Sequence, residues 1–157
     1  MNLWATSSGS GARPERADTI ERVNDSKKLR VVLVEDSPII RARLAETLSE
    51  IPNLEIVGQA ESEADALSLL DAGGWDAVVL DLQLRQGTGL GVLGRLRQGG
   101  RPSHATVIVF TNYAFPQYRD RSLSFGADFF FYKAPEFHRG RDVLADLASS
   151  EPRRAPS

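Results

Sequence analysis

Cysteine is absent from the 157-residue sequence, so disulfides, thiolate metal centres and thiol nucleophiles are excluded. Histidine is nearly absent too. His104 and His138 stand far apart and read as isolated surface residues, which rules out a histidine-rich metal site. Charge of one sign is not in excess. A net charge of −2 gives no electrostatic footprint for nucleic acid or an anionic membrane. No apolar run approaches the ~20 residues of a membrane span. The start, "MNLWATSSGSGARPER", lacks the apolar core of a secretory signal. These absences together are those expected of a cytoplasmic protein with no nucleic acid or membrane as a direct partner.

What is present is ordinary globular material, 41% hydrophobic and 25% charged. The polar start and the end "EPRRAPS" read as tails. The expected organisation is a flexible N-terminal extension over 1–28, one domain over 29–149 and a C-terminal tail over 150–157.

Within the domain, apolar runs alternate with helical patterns. Leu29 to Val34 predicts a strand. Ser37 and Pro38 then open a helix carrying Ile40, Leu44, Leu48 and Ile51 on one face. A weaker strand covers Leu54 to Val57, with a turn near Gly58. "SEAD" at Ser62 to Asp65 resembles a capping box for a helix that Gly73 and Gly74 stop. Ala77 to Leu80 predicts the third strand, and Leu90, Leu93 and Leu96 the next helix. Gly87 and Gly89 shape the loop between them. Thr106 to Phe110 and Phe129 to Tyr132 predict the last two strands. They are followed by helices over Gln117 to Phe125 and Phe137 to Ala148. The quartet Phe129, Phe130, Phe131 and Tyr132 reads mainly as core. Runs that are apolar throughout indicate a parallel sheet covered by helices on both faces, an α/β fold.

In such a sheet the ligand sits beyond the carboxyl ends of the strands. The polar residues expected there are Glu35, Asp36, Asp81, Thr111 and Lys133. Three carboxylates in one pocket repel unless a divalent cation joins them, and Mg²⁺ suits an all-oxygen site. A carboxylate is also a nucleophile that can form an acyl phosphate, with a Lys ammonium to neutralise the phosphoryl oxygens. A Thr hydroxyl can hydrogen-bond one of those oxygens.

The stretches "VVLVEDSPIIRARL", "AVVLDLQLRQGTGLGVL", "VIVFTNY" and "GADFFFYK" resemble the receiver domain of bacterial two-component response regulators. The resemblance covers about Leu29 to Ser149. It implies a flavodoxin-like (βα)5 three-layer sandwich with a parallel sheet of order 2-1-3-4-5. It implies Asp81 as phosphoacceptor, with Thr111 and Lys133 at the phosphoryl group. Glu35, Asp36, Asp81 and the carbonyl of Gln83 would serve Mg²⁺. Phe130, three before Lys133, matches the switch aromatic and would act with Thr111. The sequence departs from the family at Arg85 and Ala134, where proline is usual, and Pro135 comes one residue late. Phe130 has no hydroxyl, so a switch there would work by packing alone.

Gln83 and Tyr113 are expected to border the path of a hydrolytic water, Gln83 orienting it and Tyr113 obstructing it. The expected partners are a sensor histidine kinase or a histidine phosphotransfer protein, and an unidentified downstream protein. Neither His104 nor His138 lies in a kinase phosphoacceptor motif, so the chain is expected to receive phosphate. The expectation is a stand-alone receiver that catalyses only its own phosphorylation and dephosphorylation. Two alternatives stay open: a pseudo-receiver that only binds partners, and an aspartate-based phosphatase. The latter is weakened by Gln83 where a second acid would stand.

Overall fold

The computed structural model describes residues 28–112 and 115–150. Among these residues, strands and helices alternate in chain order: β1 Leu29–Val34, α1 Pro38–Ser49, β2 Leu54–Ala60, α2 Glu63–Asp71, β3 Ala77–Leu80, α3 Gly89–Gln98, β4 Thr106–Thr111, α4 Pro116–Ser124, β5 Phe129–Tyr132 and α5 Lys133–Ser149. The strands form one parallel sheet in the order β2-β1-β3-β4-β5. This is the flavodoxin-like sandwich and strand order that the motifs implied.

Alternation along the buried strands feeds two cores. Val32, Val34, Val78, Leu80, Val107 and Val109 pack against Ala66 and Leu70 of α2 and Val92, Leu93 and Leu96 of α3. Val31, Leu33, Val79, Ile108 and Phe110 pack against Leu44 and Leu48 of α1 and Leu144 and Ala148 of α5. Because both faces are covered, β1, β3 and β4 need apolar residues at nearly every position. Each fully buried aliphatic side chain contributes about 1.5–3 kcal/mol.

Four of the expectations need adjustment, two of them boundaries. β2 runs on to Ala60, and Gly58 lies inside it. The pairing with β1 slips between Val31 and Val32, whose partners are Ile56 and Gly58, so Val57 is an extra residue in the ladder. The turn expected near Gly58 is therefore a bulge. α5 carries a further turn from Lys133 ahead of the expected start at Phe137, the two stretches meeting at a kink. Its early start is supported by Glu136, whose Oε1 accepts from the Tyr132 backbone N–H at 2.9 Å. The chain departs from helical geometry at Glu136 itself (φ −119°, ψ 16°). Phe129 is 37% exposed at the sheet edge, not core. His104 is no isolated surface residue: its Nε2 lies 2.8 Å from Asp76 Oδ1. The extension over 1–27 and the tail over 151–157 lie outside the described residues.

Candidate functional site

The chain leaves β1, crosses to β2 on one side, and returns to β3 on the other. The order therefore reverses between β1 and β3. Glu35 and Asp36 follow β1, and Asp81 follows β3, so the three acids flank the crevice that this reversal opens. Their carboxylate oxygens can all lie within 4.8 Å of one another. Glu35 is 2% exposed and Asp81 7%, while Asp36 is half-buried.

Lys133 comes from the first turn of α5, beyond the far edge strand. Its Nζ lies 2.5 Å from Glu35 Oε1 and 2.8 Å from Asp81 Oδ2. Glu35 Oε2 accepts from the Ser37 N–H at 3.1 Å, and Asp81 Oδ1 accepts from the Gln83 N–H at 3.2 Å. Arg41 of α1 donates to the Glu35 carbonyl at 2.7 Å and fixes the backbone under the acid pair. Burial raises the Glu35 carboxyl above its usual range, outweighing the bonds from Lys133 and Ser37. Burial alone would lower the Lys133 pKa, but its bonds to Asp81 and Glu35 win and raise it.

Three carboxylates face one ammonium, which leaves a charge deficit that a divalent cation would fill. The donors are all hard oxygens, as Mg²⁺ requires. The residues present therefore fit that ion, and Asp36, the most open of the three acids, is the best placed to reach it.

Thr111 is fully buried at the end of β4. Leu80 pairs with Val109, so the ends of β3 and β4, where Asp81 and Thr111 stand, are neighbours. Phe130 pairs with Val109, is 4% exposed, and meets the Tyr132 ring edge-on at 5.3 Å. The structure thus unites Glu35, Asp36, Asp81 and Lys133, and sets Thr111 on the adjoining strand end. Gln83 has its peptide on Asp81 but an exposed side chain. Tyr113 lies outside the described residues. Sequence reasoning missed Arg41, which belongs to no strand-end pattern.

The family model for the response regulator receiver domain matches residues 31–145. The chain belongs to that family. Among solved structures it is similar to the receiver domain of AraT, a response regulator from Geobacillus stearothermophilus, with 26% identity and a TM-score of 0.64 over 76% of this chain and 92% of that one. It is also similar in fold to the receiver domain of a DNA-binding response regulator from Colwellia psychrerythraea, with 22% identity and a TM-score of 0.70 over 78% of this chain and all of that one. A protein-glutamate methylesterase/protein-glutamine glutaminase from Vibrio vulnificus is 37% identical over 71 residues, 45% of this chain and 21% of that protein. The transcriptional regulatory protein BtsR of Escherichia coli is 26% identical over 62% of this chain and 41% of its own length. The chain thus matches well under half the length of these curated relatives. Among the described residues no helix is long and apolar enough to cross a membrane.

Proposed function

We propose that Asp81 accepts a phosphoryl group from a histidine kinase or a histidine phosphotransfer protein, and that the phosphorylated domain signals to a downstream protein or passes the group on. The observation that carries this reading is the half-buried Lys133 ammonium held on both Asp81 and Glu35 at the switch point of the sheet. A carboxylate oxygen of Asp81 attacks phosphorus. The bond from phosphorus to the donor nitrogen or oxygen breaks, and the leaving group takes the electron pair. In this reading Lys133 neutralises the phosphoryl oxygens and the Thr111 hydroxyl hydrogen-bonds one of them. Bound Mg²⁺ would supply the remaining charge neutralisation, held by Asp36 and Asp81 directly, with Glu35 and the Gln83 carbonyl completing the site. Hydrolysis later returns the carboxylate. Gln83 and Tyr113 border the water's path in this proposal, so Tyr113→Ala shortens the phosphoryl lifetime and Gln83→Ala changes it less.

The domain catalyses only its own phosphorylation and dephosphorylation, and works in the cytoplasm beside its donor. Single-domain operation is part of the proposal, tested by the size of the native protein in its own cells. An acyl phosphate donor with Mg²⁺ tests the chemistry. One phosphoryl group per chain is expected, lost in Asp81→Asn. Absence of labelling favours an interaction module, and repeated turnover of phosphate esters favours a phosphatase.

A further inference from the structure

The loop after Asp81 is tied at its far end by a residue from another element. Glu63 is the first residue of α2, and its backbone N–H donates to the Gln86 carbonyl at 3.0 Å. Its Oε1 accepts from the Thr88 N–H at 2.9 Å, across 25 positions of sequence. Thr88 is the N-cap of α3, and its own hydroxyl accepts from the Gly91 N–H at 2.9 Å. The first turn of α3 contains no acidic residue, so the Glu63 carboxylate supplies the negative charge that the positive end of a helix favours.

Two glycines make room for it. A Cβ on Gly87 would lie 2.4 Å from the Glu63 Cβ, and a Cβ on Gly91 would lie 2.4 Å from Glu63 Oε2. The carboxylate therefore occupies the space that ordinary side chains at 87 and 91 would fill.

The contacts then lead back to the acceptor. Thr88 pairs with Gln83 in an antiparallel bridge. Gln83 N–H donates to Asp81 Oδ1. Gly89 N–H donates to the Leu82 carbonyl at 2.8 Å, and a Cβ on Gly89 would lie 2.2 Å from the Asp81 carbonyl oxygen. The first turn of α3 rests directly on the acceptor's own peptide.

We propose that Glu63 is a positioning residue for phosphoryl transfer: its carboxylate clamps Thr88 and the start of α3, and through the Thr88–Gln83–Asp81 contacts it holds the acceptor carboxylate and the Gln83 peptide in register with the acids after β1. This rests on the reading of Asp81 as phosphoacceptor. Glu63 touches neither Asp81 nor the phosphoryl group in this scheme. It acts only through the loop.

The glycines provide the test. Glu63→Ala removes the clamp. Gly91→Ala evicts the carboxylate by occupying its space, and moves only the far end of a flexible side chain, so the fold survives. Each single variant should take up phosphate from acetyl phosphate about tenfold more slowly, bind Mg²⁺ more weakly by calorimetry, and exchange the Thr88 amide proton faster. The double variant should be no slower than either single one, because the second change has nothing left to displace. Glu63→Gln keeps an oxygen acceptor for the Thr88 N–H and should stay within about threefold of wild type. Slowing by the product of the two single effects, or a Gln variant as slow as the Ala variant, would overturn the clamp. If wild type is labelled and both single variants match its rate, the clamp alone fails. If wild type takes no phosphoryl group, the reading of Asp81 fails and takes this one with it.

Discussion

Asp76 lies one residue before β3, at the opposite end of that strand from Asp81, and its side chain is 6% exposed. Its carboxylate accepts from the Arg30 backbone N–H at 2.8 Å and from Arg30 Nε and Nη2 at 3.1 Å, and meets His104. Burial alone would raise its pKa, but the bonds from Arg30 and His104 prevail and hold it below the usual value. A depressed carboxyl contributes stability above its unfolded pKa and loses it as pH falls through the folded one. Urea midpoints should therefore drop on acidification below about pH 4. Asp76→Asn should cost about 2 kcal/mol at neutral pH, Arg30 being partly solvated, and should flatten that acid limb. A variant with wild-type stability and an unchanged acid limb would contradict this.

At the scale of elements, two helices carry opposite expectations. Ser122 of α4 is wholly buried, and its hydroxyl has no hydrogen-bond partner among the described residues. Ser122→Ala removes a desolvated group and improves helix propensity, so it should stabilise by about 1 kcal/mol and raise Tm by a few degrees. Gly140 of α5 closes on Phe110, whose Cζ would lie 2.6 Å from an added Cβ. That ring is stacked on Phe137 at 5.6 Å and cannot easily retreat. Gly140→Ala should therefore destabilise by about 1–3 kcal/mol even though alanine favours a helix. Thermal melts of the two variants should move in opposite directions.

For the whole molecule, the question is how the acid pocket meets a donor and reports its state. A groove of about 410 Å³ runs between α1 and α5 beside Lys133, lined by Ile40, Leu44, Ala134 and Phe137. Ile39, beside Ile40 in the first turn of α1, is 70% exposed. A helix of a protein donor docking there would cover it. Ile39→Glu should slow uptake from the protein donor about tenfold, yet leave uptake from acetyl phosphate within about twofold. Equal effects on both donors would place Ile39 outside the docking surface. On the output side, phosphorylation should move Thr111 and let Phe130 repack, shifting amide signals along α4 and β5. Spectra that change only around Asp81 would remove that switch.

The buried strands and the polar residues at their carboxyl ends could be read from the residues alone. Apolar runs at 31–34, 77–80 and 107–110 are required by burial on both faces, and polar residues such as Arg30, Thr106 and Asp81 stand only where the strands begin or stop. Glu35, Asp36, Asp81 and Lys133 were therefore legible before any fold was known. Tertiary structure alone decided what a local pattern cannot encode. Glu63, read as part of a cap on its own helix, caps α3 from 25 residues away. His104 is held, half-buried, against an acid 28 residues distant. Gly58 pairs with Val32 inside β2, with Val57 as the extra residue, because β1 imposes the register. α5 starts at Lys133, where Glu136 folds back to cap its first turn and Lys133 reaches the acids after β1 and β3. In each case the deciding partner lies on another element or turns on a side chain's direction, and periodicity carries information about neither.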